Sequence, residues 1–160
     1  MEVHDDFLPS NEFKIIHDCL TSLQFDWHYL NGLVKDDDPK GSFQFVHGFF
    51  DPDTSSTCPY FHIFDSTLSK LGVKSLKRVK ANLTTAYKEP LYSSFHIDYH
   101  NITTAILYLN TNNGYTEFKS GEKVNSVSNR IVVFDSNLKH RTVTCTDQKT
   151  RIVINFNYGI

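Results

Sequence analysis

The chain of 160 residues is poor in the residue types that mark several whole classes of protein. It has 3 cysteines, 7 glycines and 5 prolines, and Cys19, Cys58 and Cys145 are widely spaced with no CxxC pair. A disulfide framework or a cysteine zinc knuckle needs more cysteines, or closer ones. Collagen-like and low-complexity chains need far more glycine and proline. The cysteines are therefore interpreted as reduced thiols, which fits a cytoplasmic protein.

An excess of one charge and long apolar runs are also missing. The 16 Lys and Arg residues oppose 18 Asp and Glu residues, for a net charge of -2, and no basic block occurs. Such a chain is not held to nucleic acid mainly through phosphate contacts. No apolar run approaches the roughly 20 residues of a membrane span, and residues 1–6 are acidic, unlike a signal peptide. We therefore expect a single domain over 1–160, with no membrane partner and no nucleic-acid partner.

What the chain does contain is aromatic and β-branched residues in short segments, which favour sheet structure. Residues 1–75 have a mixed pattern, with a helix predicted from a Ser10 cap to about Leu23. From residue 76 onward, strand patterns alternate with turn signals. A second helix is predicted over 60–71, with its end at Gly72, and an exposed acidic loop is predicted over 36–41. The predicted strands are 27–34, 43–49, 76–85, 94–98, 102–110, 114–118, 123–127, 130–135, 140–145 and 150–158.

Many short strands at this spacing predict a two-sheet sandwich or an open barrel. The expected fold class is mostly β: a double-stranded β-helix (jelly roll) with an N-terminal pair of buttressing helices. In this arrangement residues 1–75 supply the helical buttress and the first strands, and residues 76–160 form the jelly-roll core.

The segment Phe95-His96-Ile97-Asp98-Tyr99-His100 carries the chemistry. Residues two apart in a strand point to the same face, so His96 and Asp98 could bind one metal ion. A third ligand is expected from His140, which follows one predicted strand and opens the next; His100 offers a purely local alternative. Two imidazoles and one carboxylate form the facial triad of non-haem Fe(II) oxygenases. A zinc hydrolase could use the same three groups.

Arg151 lies 11 residues after His140 in a strand-like segment. An arginine that points into an apolar barrel needs an anionic partner, because an unpaired buried charge is costly. A dicarboxylate bound to the metal at one end could supply that anion at the other, through two parallel hydrogen bonds. Tyr108 is placed to donate its hydroxyl to the same carboxylate, and Thr104 is the weaker candidate on that strand.

These residues resemble a known family. The HxD at 96–98, His140, Arg151 and the phrase Ile-Leu-Tyr-Leu-Asn at 106–110 are similar to the 2-oxoglutarate/Fe(II)-dependent dioxygenases of the prolyl-4-hydroxylase-like branch. The segments 78–83 and 95–99 look like those of short bacterial and phage members, and so does the opening 6–9. The resemblance spans nearly the whole chain and is densest over 78–158. The HxD alone is a weak motif, whereas the combined set is specific.

The resemblance implies that His96, Asp98 and His140 bind catalytic Fe(II), and that Arg151 and Tyr108 bind the far carboxylate of the co-substrate 2-oxoglutarate. Dioxygen would be the second co-substrate, with succinate and CO2 as products of a hydroxylation. Asn82, Tyr87 and Tyr92 are alternative further contacts to the co-substrate, and Asn82 is the one we carry forward. The substrate would be an unidentified protein side chain or a small molecule, in the cytoplasm, or in the host cytoplasm if the source is a phage.

Departures from the family pattern narrow the choice. Nothing basic follows Arg151, so the second downstream arginine of the nucleic-acid-dealkylating branch is missing. Asp98 stands where a halogenase has alanine or glycine. Two other classes stay open: a cupin-like metal enzyme that does not use 2-oxoglutarate, and a non-enzymatic binding module on a jelly roll.

Overall fold

The computed structural model describes residues 1–34, 38–52 and 56–160. Within this part of the chain, strands dominate and two helices lie in the N-terminal half. The helices are α1 (Ser10–Thr21) and α2 (Asp65–Lys70), the latter preceded by a 3-10 turn at Phe61–Phe64. The strands are β1 (Glu2–His4), β2 (His28–Asn31), β3 (Phe43–Asp51), β4 (Ser56–Thr57), β5 (Ser75–Thr85), β6 (Thr103–Tyr108), β7 (Tyr115–Phe118), β8 (Lys123–Asn125), β9 (Ile131–Asp135), β10 (His140–Val143) and β11 (Thr150–Gly159).

The strands form two sheets, and the chain passes back and forth between them. The larger sheet has the order β1-β9-β6-β11-β5-β3-β2, with β4 paired to β3. The smaller sheet has the order β10-β7-β8. Two isolated antiparallel bridges, from Tyr92 to Val143 and from His96 to His140, attach the segment before β6 to the outer edge of β10. From β5 onward the chain therefore alternates between two facing sheets, which is the winding of a jelly roll.

The helices cover the outer face of the larger sheet, as expected. Ile16 and Leu20 of α1 are buried in one cluster with Phe64 and with apolar residues of β5 and β11. Burial of this apolar surface stabilises the sheet by roughly 25 cal/mol for each Å² removed from water. The opposite face of the same strands is left to face the smaller sheet.

This arrangement reverses the usual polarity of a half-buried strand. On β5, Val79, Ala81 and Leu83 belong to the cluster under the helices. Alternate residues of β5, which are polar, line the space between the two sheets. The same holds on β11, where the apolar residues 152, 154, 156 and 158 join the helix-side cluster. The interior of the jelly roll is therefore polar along its two central strands.

Several local predictions were wrong in detail. Ser10 is the first residue of α1 rather than its cap, Pro9 holds the cap position, and no side-chain hydrogen bond caps the helix. Leu23 lies beyond the helix end and is fully exposed. The predicted strand over 94–98 is an irregular segment, because its only ladder contact in the described chain is the His96–His140 bridge.

Other outcomes are closer. The second helix begins as a 3-10 turn and ends just before Gly72, whose φ of +65° suits glycine. The short strands β1 and β4 had no signal in the sequence. Residues 36 and 37 of the predicted acidic loop at 36–41 lie outside the described residues. The carboxylate of Asp38, in the same loop, accepts hydrogen bonds from the backbone of Leu33 and Ser94, so it is not a merely solvated group. None of the described helices has the length and apolarity that a bilayer crossing requires.

Candidate active site

A cavity of about 320 Å³ lies between the two sheets. Its lining comes from the inward faces of β5 and β11, from the facing strands β7 and β10, and from the irregular segment around His96. The residues that bear chemistry are Arg78, Lys80, Asn82, Thr84, His96, Asp98, Thr116, His140, Thr142, Arg151 and Asn155. Asp98 is the single carboxylate among the described residues that line it, against three cationic side chains.

His96 and His140 lie side by side at one end of this cavity. Their backbones exchange hydrogen bonds of 2.9 and 3.0 Å, and their ring centroids are 4.6 Å apart. Each imidazole donates its Nδ1–H to the backbone carbonyl two residues earlier, Ser94 for His96 and Leu138 for His140, both at 3.1 Å. A carbonyl only accepts, so Nδ1 carries a proton, and in the neutral ring Nε2 is then the nitrogen with the lone pair. Such anchoring of the second ring nitrogen is typical of histidines that bind a metal.

Burial and the neighbouring His96 lower the pKa of His140, although Asp98 opposes the shift. The neutral imidazole, which is the form that binds metals, is therefore favoured at His140. Its ring packs edge-on against Phe134, with the centroids 5.0 Å apart. This contact fixes the plane of the ring.

Asp98 lies beside His96 in the same cavity. Its Oδ1 lies 3.9 Å from Nε2 of His96, so the two groups point into the same space. The same oxygen is 3.1 Å from a guanidinium nitrogen of Arg78, and Oδ2 is 3.4 Å from the amide nitrogen of Asn157. Burial raises the pKa of Asp98, but the charge of Arg78 and its hydrogen bond to the carboxylate oppose burial, and the net pKa is lowered. Asp98 is therefore ionised and held in place from two sides.

Arg151 occupies the other end of the cavity and is 2% exposed. Its Nε donates to Ser126 at 2.9 Å, and its terminal nitrogens lie 3.2 Å from the Thr116 hydroxyl and 3.5 Å from that of Thr142. Its guanidinium carbon is 5.5 Å from the ring centroid of Tyr108. Burial lowers its pKa, partly opposed by Tyr108. Every described partner of this buried cation is neutral.

Space for Arg151 depends on Gly114. A Cβ at position 114 would lie 2.7 Å from Cδ of Arg151 and 2.8 Å from the backbone oxygen of Val143. Both distances are shorter than any ordinary contact. Glycine is therefore required at this position because the arginine stem passes directly over its backbone.

Two polar atoms that face the cavity have no hydrogen-bond partner among the described residues. They are Oγ1 of Thr84, which is 3% exposed, and Oδ1 of Asn155. In the ladder between β5 and β11, Thr84 stands opposite Arg151 and Asn155 stands opposite Lys80. Buried polar groups in native proteins are nearly always paired. The free Thr84 hydroxyl next to the unneutralised Arg151 therefore marks the far end of the cavity as a place for an anion.

The other predicted co-substrate residues lie at different depths. Asn82 lines the cavity. Tyr108 is fully buried behind the lining and donates its hydroxyl to Oγ1 of Thr116 at 2.8 Å. Thr104 is likewise fully buried and accepts a hydrogen bond from Asn157 at 3.0 Å. Tyr108 and Thr104 thus reach the cavity only through a neighbour.

The remaining candidates fall elsewhere. The Tyr87 hydroxyl accepts a bond from the backbone of Phe43, and Tyr92 is 40% exposed. His100 is exposed and bonded to Asn137 at 3.3 Å. Of the three alternatives for a co-substrate contact, Asn82 is the one on the cavity wall, and it is His140, not His100, that lies beside His96.

Arg78 and Lys80 also line the cavity, although neither was among the predicted site residues. Their signal was present: Arg78, Lys80, Asn82 and Thr84 form an alternating polar row within an otherwise apolar strand. The row was not interpreted because polar residues on a strand normally face water. Here the helices cover the apolar face of β5, so the polar row faces the cavity.

Among the described residues, the group whose three possible ligand atoms all come close to one another lies outside the cavity, whereas His96, Asp98 and His140 do not form such a group in the ligand-free structure. Oxygen and nitrogen atoms of Asp26, His28 and His47 lie within 4.8 Å of one another, and two of the three residues are exposed. Nδ1 of His47 is 2.8 Å from the backbone oxygen of Asp26, and its Nε2 is 3.2 Å from Sγ of Cys58. Both ring nitrogens of His47 are therefore already engaged.

No protein-family model matches the sequence, and no curated protein matches it. Solved structures do. A prolyl hydroxylase from Trichoplax adhaerens, in complex with a hypoxia inducible factor oxygen degradation domain peptide fragment, aligns with a TM-score of 0.69 at 15% identity, over 99% of this chain and 82% of that one. A 2OG-Fe(II) oxygenase family oxidoreductase from Burkholderia pseudomallei aligns with a TM-score of 0.70 at 10% identity, over 97% and 82%.

HygX from Streptomyces hygroscopicus, with nickel and 2-oxoglutarate bound, aligns with a TM-score of 0.63 at 14% identity, over 98% of this chain and 81% of that one. At these identities the likeness establishes the fold. The chain has the jelly-roll fold of the 2-oxoglutarate/Fe(II) oxygenases, as the sequence predicted.

Proposed function

We propose that this protein is an Fe(II)/2-oxoglutarate-dependent dioxygenase that hydroxylates a substrate. His96, Asp98 and His140 would hold the iron, and Arg151 would bind the far carboxylate of 2-oxoglutarate. The observation that carries the proposal is Arg151, a fully buried cation with only neutral partners in the described chain, in the same cavity as two imidazoles and a carboxylate. A ligand that binds a metal and also carries a second carboxylate fits both ends.

The donor set fits ferrous iron. Two neutral imidazole nitrogens and one carboxylate oxygen on one side of an ion are the ligands of the non-haem Fe(II) oxygenases. Nε2 of His96 and of His140 is the nitrogen left free by the backbone hydrogen bonds at Nδ1. Asn157 and Arg78 hold the carboxylate of Asp98 from the side. These contacts limit how far the three groups can turn.

The far end fits a carboxylate. Arg151 offers a planar fork, and the unpartnered Thr84 hydroxyl stands opposite it in the ladder. Oγ1 of Thr116 accepts bonds from both Tyr108 and Arg151, so its own proton is left to be donated. In this proposal Tyr108 orients the Thr116 hydroxyl, and Asn82 contacts the body of the co-substrate.

When bound, iron with 2-oxoglutarate and dioxygen supplies the oxidation of a substrate C–H bond, with release of succinate and CO2. The chain's part is to bind, orient and exclude water. Ile106 and Val153 add apolar surface to the cavity wall between the two polar ends. Thr104 supports the metal end through Asn157, which contacts Asp98. The three free cysteines support a reducing, cytoplasmic compartment.

The proposal is tested by an anaerobic titration of the purified chain with Fe(II) and then 2-oxoglutarate, while the weak visible metal-to-ligand charge-transfer band is followed. We expect the band only when both are present, and we expect His140→Ala to abolish it. Succinate release under air would complete the assignment. Tight iron binding without the band would instead indicate a cupin-like metal enzyme, and no iron binding would leave a non-enzymatic binding module.

A further inference from the structure

One cation in the cavity has no role in the function proposed above. Lys80 lies on β5 between Arg78 and Asn82, lines the cavity, and is partly buried. Its Nζ makes no hydrogen bond or ion pair with any residue that the structure describes. Burial and the charge of Arg78 lower the pKa of Lys80, and only Asp98 favours its charged form. A cation at this position is costly unless a ligand accepts it.

The other two cationic side chains of the cavity, Arg78 and Arg151, each have a partner in the protein or in the proposed function. Arg78 contacts the Asp98 carboxylate at 3.1 Å, the Asn157 amide oxygen at 3.1 Å and the ring of Tyr99 at 5.2 Å. Arg151 receives the far carboxylate of 2-oxoglutarate in the proposed function. The two charges of Fe(II) and the two of 2-oxoglutarate cancel, so loading the site adds no anion for Lys80. The imbalance among the described lining residues persists in the loaded enzyme.

The position of Lys80 separates it from the Arg151 pocket. On β11, Asn157, Asn155 and Arg151 stand opposite Arg78, Lys80 and Thr84 in turn. Lys80 is therefore one inward position from the metal end and two from Thr84, about 14 Å along the strand from the latter at 3.4 Å per residue. The unpartnered Asn155 oxygen faces Lys80 across the ladder. A donor and an acceptor that have no partner among the described residues thus lie on neighbouring strands near the metal end.

We propose that the primary substrate carries a carboxylate and that Lys80 binds it, which places this carboxylate beside the metal ligands. This inference rests on the proposed function for the same cavity. A single spare ammonium matches a monoanion, whereas a phosphate monoester carries −1.5 to −2 and calls for more than one cation. The Asn155 oxygen is available to a hydroxyl or amino group of the same substrate. Lys80 would therefore set which substrates turn their reactive carbon toward the metal.

The probe is acetate, with acetamide as its neutral counterpart. It is added anaerobically to the protein loaded with Fe(II) and saturating 2-oxoglutarate, and both the charge-transfer band and the unfolding temperature are measured. We expect acetate, but not acetamide, to shift the band and raise the unfolding temperature. In Lys80→Met the acetate Kd should rise about tenfold or more, since a hydrogen bond to a charged group is lost. The affinity for 2-oxoglutarate should stay within about threefold of the wild type, because Lys80 is not its ligand.

The matched control is Lys77→Met, because Lys77 is exposed and faces outward from the same strand. It should respond to acetate as the wild type does, and Lys80→Arg should keep most of the response because it keeps the charge. A second arm uses N-acetyl-aspartate amide, in which the side chain is the only free carboxylate. A response to it as strong as the response to acetate would indicate that the substrate carboxylate is an acidic protein side chain. A response to acetate alone would indicate a free organic acid. Either supports the proposal.

Three results would overturn it. The first is an acetate response equal in Lys80→Met and the wild type, and the second is no acetate response in the wild type. The third is a large loss of 2-oxoglutarate affinity in Lys80→Met, which would make Lys80 a co-substrate ligand. If the wild type forms no charge-transfer band, the proposed function fails, and the acetate-dependent unfolding temperature still tests Lys80 alone.

Discussion

The two ends of the cavity treat a buried arginine in opposite ways. At the metal end, Arg78 is paired with a carboxylate, an amide oxygen and an aromatic ring. At the far end, Arg151 is more deeply buried, yet hydroxyl groups and a ring are its described partners. At both ends the same two paired strands, β5 and β11, form the wall that carries the arginines, so the contrast reflects residue choice and not a difference in fold.

The contrast separates a site built for a cation from one built for an anion. Asp98 and two imidazoles with Nδ1 bonded to the backbone stand at one end, with Arg78 holding the carboxylate in place. Arg151 and the free Thr84 hydroxyl present donors at the other end. A ligand that spans the cavity must therefore bind a metal at one end and carry a negative charge at the other. Variants that disable one end and spare the other test this division.

The largest effect is expected from Asp98→Ala, which removes the only described carboxylate of the cavity. Outer partners of metal ligands are already worth about 10- to 100-fold in affinity, so loss of a ligand should weaken Fe(II) binding by more than about 100-fold. Turnover of 2-oxoglutarate should disappear with it. Anaerobic Fe(II) titration by calorimetry measures the affinity. His100→Ala is the matched control, since His100 lies two residues away and is exposed, and it should bind iron normally. Equal losses in both variants would contradict the assignment of His140 as the third ligand.

The sequence predicted the fold and the grouping of the site better than its local geometry. Strand-and-turn spacing and the HxD, His and Arg set were enough for the jelly roll, because the winding of short strands leaves few alternatives. The prediction of a strand over 94–98 was wrong, yet His96 and Asp98 still point into one space. The single bridge from His96 to His140 brings the two imidazoles together, and a contact between distant segments has no local signal.

The depth of each side chain could not be predicted either. Tyr108, Thr104 and Asn82 were expected to touch the co-substrate directly. Tyr108 instead lies behind Thr116, which lines the cavity, and Thr104 is bonded to Asn157, which in turn contacts Asp98 of the lining. Arg78 and Lys80 were overlooked because the sequence does not say which face of β5 the helices cover. Once α1 covers the apolar face, the polar row can only face inward.

The second-largest effect is expected from a change at the Arg151 end of the cavity, and it should leave the metal end unchanged. Arg151→Met should weaken 2-oxoglutarate binding by about 30-fold or more, since removal of one partner of a buried charge pair costs about 2–5 kcal/mol. Fe(II) affinity should not change, because Arg151 contacts none of the metal candidates. Arg151→Lys should recover part of the loss, as it keeps the charge but not the planar fork.

The charge-transfer band at increasing 2-oxoglutarate measures this affinity. Arg141→Met is the control: Arg141 is bound to Glu117 and lies against Tyr92 and Phe95, outside the cavity. A normal 2-oxoglutarate affinity in Arg151→Met would show that the far end serves some other anion, and the two ends would then belong to different ligands.

The smallest effect is expected at the atom that makes the far end distinctive. Thr84→Val removes a buried hydroxyl that has no partner in the described part of the chain. The ligand-free protein should therefore gain stability, by about 1 kcal/mol or about 3 °C in unfolding temperature for a chain of this size. The same change should weaken 2-oxoglutarate about tenfold, because the hydroxyl has a partner only when the carboxylate is there. Thr85→Val, on the opposite face of the same strand, should do neither. If Thr84→Val raises stability and lowers 2-oxoglutarate affinity, the Thr84 hydroxyl is a donor that is unpaired without the ligand and paired when the ligand binds. A loss of stability in Thr84→Val would instead mean that the hydroxyl already serves the fold, and the contrast between the two ends would then rest on Arg151 alone.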